Sequence, residues 1–202
     1  MPQKLKFKKY RSWGIETNAG ISKKPIAGGG AKPGPSKAHK GSFGKKLESR
    51  RLFALLYGNI SHTQYTRLFS QAEKYPGKIG IQFLSLVEKR LDVVVTKMFF
   101  FPTLDSARQY ISHKGILVNK KIVNVASAFV KPGDIIQIKN PVEFASWGSN
   151  RTQIPEAQSF VKHPHLEVNY KTLTGIFLFS PHQIYYTLPK LRCTEAGISL
   201  DI

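Results

Sequence analysis

A single cysteine, Cys193, stands among 202 residues. One thiol cannot build a disulfide framework or a cysteine-based zinc site. Acidic residues are also scarce: 12 Asp and Glu face 31 Lys and Arg, a formal net charge of +19. No apolar run reaches the roughly 18 residues that a transmembrane helix needs; the longest is interrupted by Lys97, Pro102 and Asp105. The first ten residues are basic without an apolar core, so no secretory signal is expected there. The Gly/Pro tract after Trp13 does not suit the amphipathic helix of an organelle presequence, so the N-terminus reads as mature protein. Catalytic constellations are missing as well. There is no His/Cys/Glu metal spacing, no phosphate-cradling glycine loop and no Ser/His/Asp arrangement. His163-Pro164-His165 is too tight and too isolated to make a zinc site. No catalytic residue, metal or cofactor is expected.

What is present is positive charge, unevenly placed. Residues 1–51 hold 14 of the basic residues and only Glu16 and Glu48 against them. They also hold eight of the 16 glycines, including Gly28-Gly29-Gly30, with Pro25, Pro33 and Pro35. Such a stretch buries too little apolar surface to offset its own ordering entropy. It reads as an extended arm, ordered when laid along a polyanion. A charge this large opposes compaction unless a counter-charge neutralises it, and the usual counter-charge is nucleic acid. A solvated basic surface or an anionic lipid is the blander reading. Phe7, Tyr10, Trp13 and Phe43, interleaved with Lys4, Lys6, Lys8, Lys9 and Arg11, favour RNA, because aromatic rings stack on unpaired bases.

With 41% hydrophobic residues, the rest of the chain is rich enough for a packed core. Lys45 to Tyr57 reads as a helix stopped by Gly58, cationic through Lys45, Lys46, Arg50 and Arg51. Ser61 suits an N-cap for a helix over Thr63–Tyr75, stopped by Pro76-Gly77. Spacing of three and four residues from Leu84 through Met98 predicts continuing helix, despite the strand-like Val93-Val94-Val95. Thr103 caps a helix over Leu104–Lys114, with Ala107, Tyr110 and Ile111 inward and Gly115 as its stop. Strands are expected at Ile116–Val118 and Ile122-Val123 around Asn119-Lys120, and at Ile135–Ile138 after the turn Pro132-Gly133-Asp134. A last strand pair is expected at Leu166–Tyr170 and Gly175–Phe179, with loop and a short helix over 140–163.

Three segments then become familiar in this order: Leu-Ser-Leu-Val-Glu-Lys-Arg-Leu-Asp from Leu84, Ser-Ala-Arg-Gln-Tyr-Ile-Ser-His-Lys-Gly-Ile-Leu-Val-Asn from Ser106, and Pro-Gly-Asp-Ile-Ile from Pro132. Together they resemble the RNA-binding module of the ribosomal protein S4 family. Phe43-Gly44 through Tyr57-Gly58, and His165-Leu166-Glu167-Val168-Asn169 with Gly175-Ile176-Phe177, extend the resemblance over roughly residues 43–180. The wording is most similar to the mitochondrial branch.

The fold class is therefore α+β: a helical subdomain at 44–88, completed by 180–202, a small αβ RNA-binding module at 89–178, and an extended basic arm at 1–43. The resemblance implies a non-catalytic constituent of the small ribosomal subunit. It would bind small-subunit rRNA early in assembly, where mRNA enters and beside neighbouring ribosomal proteins. Its compartment would be the mitochondrion, with a bacterial cytoplasm or a plastid as the alternative, and no membrane is implied. The rRNA-binding residues would be the arm cations named above, Lys45, Lys46, Arg50, Arg51, Arg90, Lys97, Thr103, Arg108, Gln109, His113, Lys114, Asn119, Lys120 and Lys121. Thr103 would offer helix N-terminal N–H groups to a phosphate. Asp92 would orient Arg90 through an exposed pair. Asn119 reads equally as a turn residue with positive φ, and His113 as a packing residue.

Leu104, Leu52, Ala54 and Leu55 stand where the family usually has basic residues, which implies that a protein neighbour covers those sites. Leu191–Ile202 does not match the family's ending. Two other functions compete. An RNA-modifying enzyme carrying the same module would need a catalytic domain, and residues 139–202 offer only scattered carboxylates. A ribosome-associated factor carrying the module alone would lack the flanking segments found here.

Overall fold

The computed structural model describes residues 47, 50, 51, 53, 54, 56–101, 103–142, 144 and 163–180. The arm, most of the loop and short helix expected over 140–163, and the ending after 180 lie outside the described residues; within that stretch, the described residues 141, 142 and 144 are helical. Two compact units divide between Ser61 and His62.

In the first unit, Leu47, Arg50, Arg51, Phe53, Ala54 and Leu56 are helical. Phe53 and Tyr57, one turn apart, bring their rings to 4.7 Å. Gly58 (φ 71°) and Asn59 (φ 55°) end the helix on left-handed backbone, with the Asn59 N–H on the Ala54 carbonyl at 2.6 Å. The stop expected at Gly58 is where the chain turns.

The second unit begins with helix α1, His62–Ala72, directly after Ser61. Its buried residues are Leu68 and Ala72, while Tyr65 and Phe69 tilt their rings onto Phe83 at 4.9 and 6.0 Å. Helix α1 ends at Ala72, short of the Tyr75 expected from sequence, because the ladder tightens: Lys74 and Tyr75 donate to carbonyls three residues back. Helix α2, Ile79–Glu88, packs against α1 and is buried from Phe83 to Glu88.

The helix expected to run on towards Met98 is interrupted. Arg90 is extended (φ −66°, ψ 138°), and helix α3 spans Leu91–Lys97. The cause is tertiary, since no Pro or Gly lies nearby. Leu91 and Asp92 donate to the carbonyls of Ala128 and Ala126, and Val130 donates to Lys89. The loop at 126–130 thus takes the hydrogen bonds that a continuous helix would have used. Val93-Val94-Val95 is helical and buried, as its longer periodicity required.

Helix α4, Leu104–Ser112, follows a turn and a reciprocal cap between Thr103 and Ser106. Its end is a Schellman motif: Lys114 donates to the Ile111 carbonyl and Gly115 to that of Tyr110. The left-handed residue is Lys114 (φ 60°), not the Gly115 that sequence reading took for the stop. Gly115 is required for a different reason: a Cβ there would lie 2.2 Å from the Tyr110 ring.

Five short strands form one antiparallel sheet in the order β2-β1-β3-β5-β4. They are β1 Ile116–Val118, β2 Lys121–Val123, β3 Ile135–Ile138, β4 Leu166–Asn169 and β5 Thr174–Phe177. Asn119 (φ 50°) and Lys120 (φ 65°) make the two-residue turn between β1 and β2, with the paired positive φ of a type I′ hairpin. Ile116, Ile136, Ile138 and Phe177 join Leu91, Val94, Met98 and Ile111 in a single buried cluster. Sheet and helix approach closely at Gly175, where a Cβ would fall 2.5 Å from the Met98 sulfur.

Adding a methyl group at Gly115 or Gly175 is therefore expected to overpack the core by about 1–3 kcal/mol each. Gly115→Ala should cost more, because Phe101 and Phe144 brace the Tyr110 ring at 5.0 and 5.9 Å. Urea midpoints check this; an unchanged midpoint in Gly115→Ala would show that the Tyr110 ring yields freely.

Candidate nucleic-acid interface

Exposed polar and basic residues gather just past the C-terminal end of α4 and at the β1–β2 turn. Gln109, His113 and Lys114 are exposed at or near the C-terminal end of α4; Asn119, Lys120 and Lys121 are exposed at the turn, and Arg108 is half-buried beside them in sequence on α4. The two elements are joined directly through Gly115 and β1, so their geometry is fixed by the sheet.

A buried carboxylate organises one side of this face. Asp92 is fully buried, and its four acceptor positions are all taken. Oδ1 receives Arg90 Nε at 3.1 Å and the Val93 N–H at 3.0 Å. Oδ2 receives Arg90 Nη2 at 2.9 Å and Arg108 Nε at 2.7 Å. The exposed Arg90–Asp92 pair expected from sequence is thus a buried triad. Arg90 is itself buried, which removes it from the exposed face. Arg108, whose side chain keeps 27% of its surface, also brings its Nη1 to 3.9 Å from the exposed Asp105 carboxylate.

Other sequence-nominated residues are placed differently. Lys97 pairs with the buried Glu88, within a cluster that includes His163 and His165. Thr103 is spent on its own helix: its hydroxyl accepts from the Ser106 N–H, and its own N–H donates to the Ser106 hydroxyl. Those two N–H groups are therefore satisfied within the protein. Asn119 ties the turn to β3, donating to Asp134 at 2.8 Å and accepting from the Ile135 N–H at 3.0 Å. Arg50 and Arg51 belong to the first unit, where Arg51 is exposed. Lys4, Lys6, Lys8, Lys9, Arg11, Lys45 and Lys46 lie outside the described residues.

Sequence reading missed Ser106 and Glu88. The Thr-x-x-Ser spacing departs from the usual Thr-x-x-Glu cap, and nothing in the sequence marked Glu88 as buried. Burial, then the nearby Lys97 ammonium, pushes His163 and His165 down to about 4, so both are neutral near pH 7 and add nothing to the positive face. Among the described residues, no group of three His, Cys, Asp or Glu side chains could hold a metal ion. No helix among them is long and apolar enough to cross a membrane.

This arrangement has the parts of an S4 domain, and a family profile of that description matches residues 89–136. The likeness continues beyond it. The chain is 32% identical over 149 residues to small ribosomal subunit protein uS4m of Reclinomonas americana, covering 71% of this chain and 60% of that protein. Against small ribosomal subunit protein uS4 of Ruegeria pomeroyi it is 32% identical, covering 72% of this chain and 69% of the relative. Against that of Paracoccus denitrificans the identity is 31% over 144 residues, with 69% and 66% covered. The chain belongs to the uS4 family of small ribosomal subunit proteins. Its match spans 60% of the length of the mitochondrial relative.

Asp92→Asn is expected to destabilise the fold by about 3–5 kcal/mol, since it leaves two guanidiniums against a neutral group. Chemical denaturation reads this, and a midpoint equal to wild type would deny Asp92 its central place. The histidines set a second expectation. Their folded values lie below the ordinary 6.5, so the unfolded chain binds protons that the folded chain refuses. Their contribution is whole above pH 6.5 and falls as pH drops towards 4. Thermal midpoints should decline over that window, and His163→Gln/His165→Leu should flatten the decline; an equal decline in the double variant would assign it to other groups.

Proposed function

We propose that the chain is a non-catalytic constituent of the small ribosomal subunit that binds small-subunit rRNA directly. The carrying observation is the group of exposed cations just past the C-terminal end of α4 and at the β1–β2 turn, Lys114, Lys120 and Lys121, lying inside the stretch that matches an S4 domain. Duplex RNA offers phosphates and 2′-hydroxyls across a shallow minor groove and is read mainly by shape. A rigid face with fixed spacing between Arg108, Lys114, Lys120 and Lys121 suits that task, because the sheet and the Asp92 triad hold the spacing before RNA arrives. Backbone positions fixed in advance lose less entropy on binding.

The finer parts of this reading extend the family assignment. The basic stretch 1–43 binds rRNA, 44–88 is a helical subdomain, and 89–178 is the RNA-binding module. Gln109, His113 and Asn119 complete the contact set. The protein joins early in assembly, near where mRNA enters and against neighbouring ribosomal proteins. Its compartment is the mitochondrion; similarity to both mitochondrial and bacterial relatives supports an organellar or a bacterial ribosome.

Competition binding at matched salt tests the proposal. Labelled RNA from the 5′ region of small-subunit rRNA is challenged with unlabelled copies of itself, with tRNA and with large-subunit rRNA fragments. Only the small-subunit RNA should compete well, and Arg108→Ala/Lys114→Ala should weaken binding. Equal competition by every polyanion, or unchanged affinity in the double variant, would contradict it. Six to ten phosphate contacts would lose about 10³–10⁵ in affinity between ~50 and ~200 mM salt.

A further inference from the structure

An antiparallel sheet that packs one face on helices leaves the other to solvent, and strand alternation then makes that other face polar. The inward positions of this sheet follow the rule: Ile116, Ile136, Ile138 and Phe177 are buried in the core cluster. Four outward positions depart from it. Leu117 stands opposite Ile122, and Ile135 stands opposite Ile176. Leu117, paired with Gln137, is also the diagonal neighbour of Ile135, so the four side chains run as one aliphatic stripe across β2, β1, β3 and β5. Ile122 keeps 51% of its surface and Ile135 42%, while Leu117 and Ile176 are half-buried. Exposed aliphatics scattered singly are ordinary, but a contiguous stripe marks a contact surface.

The charge on this face decides what kind of partner fits. The other outward strand positions are Gln137, Thr174, Glu167 and Asn169. None is a cation, in a chain with 31 Lys and Arg. The one charge is Glu167, exposed on the edge strand β4 and directly opposite Ile176. Among the described residues no cation pairs with it. Surfaces that meet nucleic acid are polar and strongly positive, so RNA does not fit here. An apolar centre with its charge at the rim is the composition of a protein–protein contact.

We propose that the outer face of the sheet is a docking surface for a neighbouring protein of the subunit. The partner lays aliphatic side chains on the stripe of Leu117, Ile122, Ile135 and Ile176, and sets a Lys or Arg against Glu167. The inference rests on the ribosomal reading and deepens it, assigning protein contact to the sheet face and RNA contact to the cations at the helix end and the turn.

The test places a photo-reactive group at Ile135 of the full chain, in reconstituted small subunits, and maps the cross-linked peptides by mass spectrometry. The expected product joins position 135 to a different subunit protein, at a peptide with aliphatic residues and a Lys or Arg. Glu167→Lys sets like charges against each other and should lower the yield of that product by about tenfold. Ile122→Thr keeps the β-branch and should lower it several-fold, while the free chain keeps its wild-type urea midpoint and its affinity for 5′-region small-subunit rRNA. Cross-links to rRNA would overturn the proposal. So would cross-links to this chain alone, no cross-link at all, or an equal yield in both variants. A chain that does not enter subunits would instead refute the ribosomal reading, and the docking surface would fall with it.

Discussion

One buried carboxylate decides where much of the positive charge in the S4-like stretch can go. Asp92 sits on the first turn of α3 and accepts from two arginines that arrive from different elements. A lone buried carboxylate would be costly, and so would a lone buried guanidinium. With every acceptor position on Asp92 filled, the two guanidiniums are held together, and Arg108 also reaches the exposed Asp105 carboxylate at 3.9 Å. The triad also ties the joint at Arg90 to α4, so the helix that leads into Lys114 is fixed to the helix that anchors the core. Electrostatics and packing therefore set the same geometry.

Much of this was legible in the sequence. Asn119-Lys120 between two β-branched runs announced a hairpin, because few residues accept the paired positive φ that a tight turn demands. Ala107, Tyr110 and Ile111 repeat at helical spacing, and the buried side of α4 follows from that. The S4-like segments survived as wording; the profile agrees with them over residues 89–136 and the relatives over most of the chain. Individual strands could be read from their turns; their order could not, because pairing β3 with β5 brings together residues some forty positions apart.

The failures share a physical cause: sequence displays a charge but not its burial. Arg90 and Lys97 look like surface cations until Asp92 and Glu88 are found inside. The break at Arg90 is invisible locally, since it is made by hydrogen bonds from the loop at 126–130. Gly115 was read for its backbone freedom, yet its lack of a side chain is what the Tyr110 ring requires. The freedom that glycine would have supplied is instead demanded of Lys114, one residue earlier. Fold and function thus divide the basic residues between them, some neutralising carboxylates inside and others held outward.

The central claim is that the outer side of α4 faces rRNA in the assembled subunit. A photo-reactive group at Gln109, which is exposed between Arg108 and the helix end, tests it most directly. In reconstituted subunits it should cross-link to small-subunit rRNA, while the same group at Glu167, on β4 at the far edge of the sheet, should not reach the same nucleotides. Cross-links from position 109 to protein alone would contradict the account.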